Sequence, residues 1–358
     1  MIKKMVFVIS ALRGGGAEKF VLNLYKAMEK YQGYECHIVS IEKAVEHNIE
    51  GYRVHFVSDF CNISKKGIRR LWYKKNVAQA IDCFVKDNID ANALVLSNML
   101  LADKIMSESK LNVFHVIHSP YNDVFLNGVS NIKKLLIKRK VNSWYKNHPL
   151  VFVSEHSKES FELSFNINKE SYVIHNPVNV EVDDTDSIDI AGDYLVHVGR
   201  FNREKRHDRL IDIFSKIKDT KVKLLLIGDG KLKAIIRADV EKRGLKDRVV
   251  FVGFKNNPYQ YIKKSKGLLL TSDFEGLSMV LLEAIVLSIP VLSTDCSEAI
   301  RNVVINNESS LVPLDDTNLF AKKIDELLIS PEKFISKENE IFQPKFVAQQ
   351  YHNLFKRQ

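Results

Sequence analysis

Two cations and two carboxylates in the second half of the chain stand where strand and helix ends meet. Arg200 follows Val198-Gly199 at the end of an apolar run, and Lys205 comes shortly afterwards, just ahead of a helical pattern. A guanidinium and an ammonium at a strand's carboxyl end, beside a helix N-terminus, form a clamp for a diphosphate. A solvated basic loop is the other reading of the charged run 203–209. Glu275 lies in the segment Asp273-Phe-Glu-Gly-Leu-Ser278, and Glu283 falls about two turns into the helix that follows, so both carboxylates can face the same cleft. Glu283 stands among Val280, Leu281, Leu282, Ala284 and Ile285, where a carboxylate needs a partner. A ribose diol or a structural lysine would serve.

Glycines mark the other turns. Gly14-Gly15-Gly16-Ala17-Glu18 closes the first apolar run, and glycine there permits positive φ and leaves backbone N–H groups open to a phosphate at a helix N-terminus. A dinucleotide fingerprint would need a further glycine near Lys19, although Glu42 could imitate its ribose acid; a tight turn without ligand is the alternative. Gly228-Asp229-Gly230 and Gly253-Phe254 read as structural turns that shape the wall of a site. His118, in Val-Ile-His-Ser-Pro, stands at a strand's carboxyl end, whereas His197 lies within a strand and reads as a core residue. Asp184-Thr-Asp186 belongs to an acidic stretch and reads as solvated charge, so no metal site is expected.

These residues need a frame. Strand-like runs at Met5–Ser10, Cys36–Ile41, Val54–Val57, Leu94–Ser97, Val113–His118 and Leu150–Ser154 alternate with helical patterns such as Glu18–Lys30 and Asn76–Asp87. The alternation restarts at Tyr194–Gly199, Val222–Ile227, Val249–Phe251, Gly267–Thr271 and Val291–Thr294, with helices at Arg206–Ile217, Lys231–Arg243 and Met279–Leu287. Such alternation predicts parallel strands joined by crossover helices: an α/β chain of two doubly wound domains, 1–178 and 194–343. Residues 179–193, with six acidic and no basic side chains, read as the linker.

Together, Gly-Gly-Ala-Glu at 15–18, Val-Gly-Arg at 198–200 with Lys205, Gly-Asp-Gly at 228–230, and Glu275 and Glu283 resemble glycosyltransferase family 4 over roughly residues 1–330. Ser154 in Val-Phe-Val-Ser-Glu and His175-Asn-Pro-Val fall in the expected order. The resemblance implies a GT-B fold, two Rossmann-like domains facing a cleft, with the final helix 344–358 crossing back onto the first. It implies that Arg200 and Lys205 hold a donor diphosphate and that Gly15 and Gly16 let the opposite domain approach it. Glu283 would bind ribose. Glu275, with Gly276, Leu277 and Ser278, would bind the transferring sugar, with His118 near its C6 side and Phe254 at the nucleotide. The implied enzyme is a hexosyl- or N-acetylhexosaminyl-transferase that retains anomeric configuration and needs no cofactor beyond a nucleoside-diphosphate sugar, with UDP as the expected carrier. Its acceptor would be a bacterial surface glycan or glycolipid: lipopolysaccharide, O-antigen or capsule. The block Ser297-Glu298-Ala-Ile-Arg301 departs from the glycine-rich loop of many relatives.

Composition narrows the partners. The 358 residues are 45% hydrophobic and 27% charged, as in folded globular chains, and no apolar run approaches the length of a membrane span. Cys36, Cys61, Cys83 and Cys296 form no C-x-x-C pair and read as reduced cytosolic thiols. The apolar run after Lys3-Lys4 fits a buried strand better than a signal peptide. Residues 1–180 carry 25 Lys and Arg against 17 Asp and Glu, while 181–358 carry 28 against 27, so the net +9 sits almost wholly in the first half. Two clusters, Lys65-Lys66, Arg69-Arg70, Lys74-Lys75 and Lys133-Lys134, Lys138-Arg139-Lys140, are interleaved with apolar residues and suit an anionic membrane. A basic helix whose apolar face joins the core is the alternative. Aromatics are not interleaved as nucleic-acid binding would require. Three rivals stay open: a nicotinamide oxidoreductase, a GT-B sugar-nucleotide epimerase and a non-catalytic nucleotide-sugar binder.

Overall fold

β1 (Lys4–Ile9) buries its last five residues completely, which a strand achieves when helices cover both faces of its sheet. The computed structural model describes residues 2–13, 15–62, 72–119, 121, 125–126, 128–165, 167, 169–180, 182, 190–275, 277–304, 307–337 and 340–356. Gly276, the basic cluster within 63–71, Asp184-Thr-Asp186 and most of the acidic stretch lie outside them. The chain divides into two compact units, one formed by Met1–Pro177 with Glu340–Gln358, the other by Val178–Asn339.

In the first unit β1 is joined by β2 (Glu35–Ser40), β3 (Val54–Phe56), β4 (Leu94–Asn98), β5 (Val113–Ile117), β6 (Leu150–Phe152) and β7 (Ser171–Val173). Their order is β3-β2-β1-β4-β5-β6-β7, and every pair is parallel. Phe7 sits between Ile38 and Leu96 in register. The final helix, Pro344–Lys356, belongs to this unit. It lies on the helix Gly16–Gln32, where Tyr351 is buried 6.2 Å from the Phe20 ring and His352 Nδ1 meets the Tyr34 hydroxyl at 3.2 Å.

The second unit holds β8 (Tyr194–Val198), β9 (Lys223–Ile227), β10 (Val249–Gly253), β11 (Gly267–Leu270), β12 (Val291–Thr294) and β13 (Leu311–Val312). They are ordered β10-β9-β8-β11-β12-β13 and again all parallel. Its core gathers Leu195, Leu224 and Leu226 from the sheet with Phe214, Phe320 and Leu327 from the covering helices. In open parallel sheets ligands gather outside the carboxyl ends of the strands where the order reverses. Those strands are β1 and β4 in the first unit, and β8 and β11 in the second.

Candidate active site

The loop after β8 is fixed sideways before any charged group comes into play. Gly199 N donates to Ile227 O, Phe201 N to Asp229 O and Gly228 N to Gly253 O, each at 2.9 Å, so the loops after β8, β9 and β10 are bonded edge to edge. Gly228 and Gly230 have φ of +143° and +153°, and a Cβ on either would stand 2.0 Å from Gly199 O or 2.7 Å from Phe201 O. Only glycine admits this approach.

On that base Lys205 Nζ reaches Glu275 Oε1 at 2.6 Å, and the Ser272 hydroxyl donates to the same oxygen at 2.6 Å. The two loops, after β8 and β11, are further stitched together by their backbones. Asp273 N donates to Glu204 O at 2.8 Å, and the Thr271 hydroxyl lies 3.2 Å from Lys205 O. Arg206, in the left-handed region at φ 50°, bonds both Asp273 oxygens at 3.0 and 3.2 Å. Arg209 bonds Asp273 Oδ1 at 2.7 Å and Thr271 O at 2.9 Å. Two guanidiniums on one carboxylate hold Lys205 and Glu275 at the reversal point of the sheet.

Arg200 is exposed on the same loop, and Phe254, 41% exposed, follows β10. Leu277 is half-buried, and Ser278 is the buried residue before the helix Met279–Val286, with no cap bond from its side chain. Glu283 has no exposure, and the Tyr259 hydroxyl lies 3.3 Å from its Oε1. The Tyr259 phenol is thus one hydrogen-bond donor to a carboxylate whose apolar surroundings demand partners. Behind Lys205, His197 Nδ1 bonds Leu269 O at 2.9 Å and His207 stacks on Phe201 at 4.0 Å. Burial holds both imidazoles neutral, His197 at about 4 and His207 at about 2, and the Lys205 charge adds to the effect in each.

In the first unit Gly15 precedes the helix Gly16–Gln32 with extended angles of φ −142° and ψ 170°. Neither Gly15 nor Gly16 takes a positive φ, which corrects the conformational reason expected for them, and no side chain caps this helix N-terminus. His118, half-buried beyond β5, has Nε2 3.1 Å from Asn98 Oδ1. The Asn98 amide nitrogen donates to Leu96 O at 2.9 Å, so its oxygen faces the imidazole and His118 Nε2 is the donor. Burial pushes the His118 pKa down to about 3, leaving a neutral ring whose Nδ1 can accept. Ser154 caps the helix Glu155–Ser164, and His175 Nδ1 bonds Val153 O at 2.9 Å, so both serve the scaffold.

The model of Glycosyltransferase Family 4 matches residues 14–182, and that of Glycosyl transferases group 1 matches 187–340. The chain belongs to glycosyltransferase family 4. A Campylobacter jejuni N-acetylgalactosamine-N,N'-diacetylbacillosaminyl-diphospho-undecaprenol 4-alpha-N-acetylgalactosaminyltransferase is 25% identical over 88% of both chains. The Escherichia coli lipopolysaccharide 1,6-galactosyltransferase is 35% identical, over 37% of this chain and 38% of its own. Among solved structures, Anabaena HepE in complex with UDP-glucose superposes with a TM-score of 0.80 at 15% identity, covering 99% of this chain and 100% of HepE. The fold is GT-B, two Rossmann-like parallel-sheet domains, and the protein is a glycosyltransferase.

Within this transferase the structure joins Lys205 to Glu275 directly and brings the Tyr259 hydroxyl to Glu283. Sequence reasoning missed the Arg206–Asp273–Arg209 brace, because the run 203–209 offers a solvated loop as an equal reading. Its signal was the i, i+3 spacing of Arg206 and Arg209, with Asp273 as the one carboxylate preceding Glu275 in its loop. It also missed Met99, which leaves β4 at φ 74°, a conformation that a non-glycine residue holds only where its surroundings impose it. No residue type announces such a position.

Proposed function

We propose that this transferase moves a sugar from a nucleoside-diphosphate donor to a bacterial surface glycan or glycolipid, with retention and without a metal. The observation that carries the reading is the Lys205–Glu275 pair, held at the reversal point of the second sheet on the loop that also bears Arg200. In the reaction the bond from the sugar C1 to the β-phosphate oxygen breaks and a bond to the acceptor hydroxyl oxygen forms. The acceptor proton passes to the departing diphosphate. Charge grows on that leaving group, where Arg200 and Lys205 stabilise it most. Glu275, with one oxygen held by two donors, is assigned to binding the sugar rather than to attack; the backbone of Gly276 and Leu277 with Ser278 assists it. Glu283 is assigned to the ribose, Phe254 to the nucleotide, and Gly15, Gly16 and His118 to the substrates.

The acceptor class follows the named bacterial relatives, one acting on a diphospho-undecaprenol-linked glycan and one on lipopolysaccharide. UDP is proposed as carrier, the nucleotide named with HepE. A lipid-linked acceptor places the enzyme at the inner face of a membrane as a peripheral protein. No described helix is long and apolar enough to cross a bilayer. A panel of nucleotide sugars, tested for thermal stabilisation and slow hydrolysis with and without chelator, examines the reading. One UDP-sugar should raise the melting temperature, since a ligand at about 100 times its dissociation constant adds ~2.7 kcal/mol. Stabilisation by no nucleotide sugar, or chelator loss restored by Mg²⁺, would contradict the donor or the metal-free chemistry respectively.

A further inference from the structure

The helix Asn131–Tyr145 has two apolar faces. The inner one buries Val141 and Tyr145, and the Tyr145 hydroxyl bonds Asp103 at 2.9 Å and the Tyr121 hydroxyl at 2.7 Å. The outer one presents Ile132, Leu135 and Leu136, exposed by 78%, 54% and 53%. Their i, i+3, i+4 spacing lines them up along one stripe, on the side of the helix turned away from Val141 and Tyr145. The alternative in which the apolar residues of this basic helix simply join the core holds for Ile137, which packs against it, and is incorrect for Leu135 and Leu136. Exposed Lys133, Arg139 and Lys140 border the stripe, and the helix carries no Asp or Glu. At its far end Lys104 Nζ sits 4.3 Å and Lys74 Nζ 5.8 Å from the Trp144 ring centre.

An apolar stripe in water is a cost that a partner must offset, and the charge around it selects the partner. A second copy of the chain docked on the same face would set cation against cation. An anionic bilayer meets both features, taking apolar side chains at the headgroup–acyl boundary and lysines at the lipid phosphates. We propose that the helix Asn131–Tyr145 is the element by which the enzyme lies on an anionic membrane, with Ile132, Leu135 and Leu136 inserted and Lys133, Arg139 and Lys140 against the headgroups. This rests on the peripheral-membrane reading above and names the surface responsible for it.

The test is co-sedimentation of the full chain with vesicles of phosphatidylcholine alone, or with about one third phosphatidylglycerol. Three proteins are compared: wild type, the triple variant Ile132→Ser, Leu135→Ser, Leu136→Ser, and the triple variant Lys133→Glu, Arg139→Glu, Lys140→Glu. Wild type should bind the anionic vesicles, less so as salt rises. Each variant should bind at least about tenfold more weakly, with an unchanged melting temperature, because the altered side chains face solvent. Turnover on a water-soluble acceptor should also be unchanged. Wild type and both variants binding anionic vesicles equally would overturn the assignment to this helix while sparing the membrane reading. Wild type binding neither vesicle would overturn both. A dimer of the wild type that the serine variant dissociates would instead make the stripe a contact between copies.

Discussion

Lys205 Nζ and Glu275 Oε1 are 2.6 Å apart, although 70 residues separate them in sequence. Their side chains are 20% and 10% exposed, so each depends on the other for charge compensation. Lys205→Ala should lower turnover by about two to three orders of magnitude, through loss of charge stabilisation at the leaving group. It should also cost about 1–3 kcal/mol of stability, because Glu275 is left with Ser272 alone from this cluster. Steady-state kinetics and urea unfolding read the two effects separately, and wild-type turnover would remove Lys205 from the reaction.

The carboxylates should divide their effects. Glu275→Gln should act mainly on turnover, by misplacing the sugar, and Glu283→Gln mainly on nucleotide affinity. Tyr259→Phe should follow Glu283→Gln in a weaker form, since it removes the phenol that lies 3.3 Å from that carboxylate. Mass spectrometry that trapped a glycosyl–Glu275 adduct would overturn the binding role.

The glycines make a contrast that needs no assay of activity. Gly228→Ala would drive a Cβ to 2.0 Å from Gly199 O, whereas Gly253 has φ +85° and nothing within 4 Å of its Cβ position. Gly253→Ala should cost about 1–2 kcal/mol of backbone strain. Gly228→Ala should cost clearly more, and an equal loss on denaturant unfolding would contradict the edge-to-edge loop packing.

Acid should weaken the fold through buried histidines. His118 and His197 titrate at about 3 and about 4 in the folded chain, against an ordinary value of 6.5. Between these values the unfolded chain binds more protons, so stability rises with pH there and is lost as pH falls below about 6.5. His197→Gln should flatten part of that loss. A wild-type unfolding midpoint that stayed level from pH 7 to pH 4 would show that these rings are not held neutral.

Much of this was legible because buried parallel strands are nearly continuous apolar runs, as Met5–Ile9 and Leu224–Ile227 are. β7 and β13 were not: β13 has only two residues, and β7, Ser171-Tyr-Val173, opens on a polar residue and is not an apolar run. Arg200, Lys205, Glu275 and Glu283 could be picked out singly from their places at strand and helix ends. That Lys205 pairs with Glu275, and that Glu283 rests on Tyr259, depends on loops meeting in space. Periodicity could place Ile132, Leu135 and Leu136 on one face of a helix, yet it could not say that the face turns outward.

Calorimetric titration of a nucleoside diphosphate into wild type, Arg200→Ala and Lys205→Ala tests the central claim most directly, because it isolates the clamp from the unidentified sugar and acceptor. Each substitution should weaken diphosphate binding by about tenfold or more, since a charged hydrogen bond is worth about 1.5–3 kcal/mol, while binding of the uncharged nucleoside stays as it was. Equal diphosphate affinity in all three proteins would contradict the assignment of Arg200 and Lys205 to the donor.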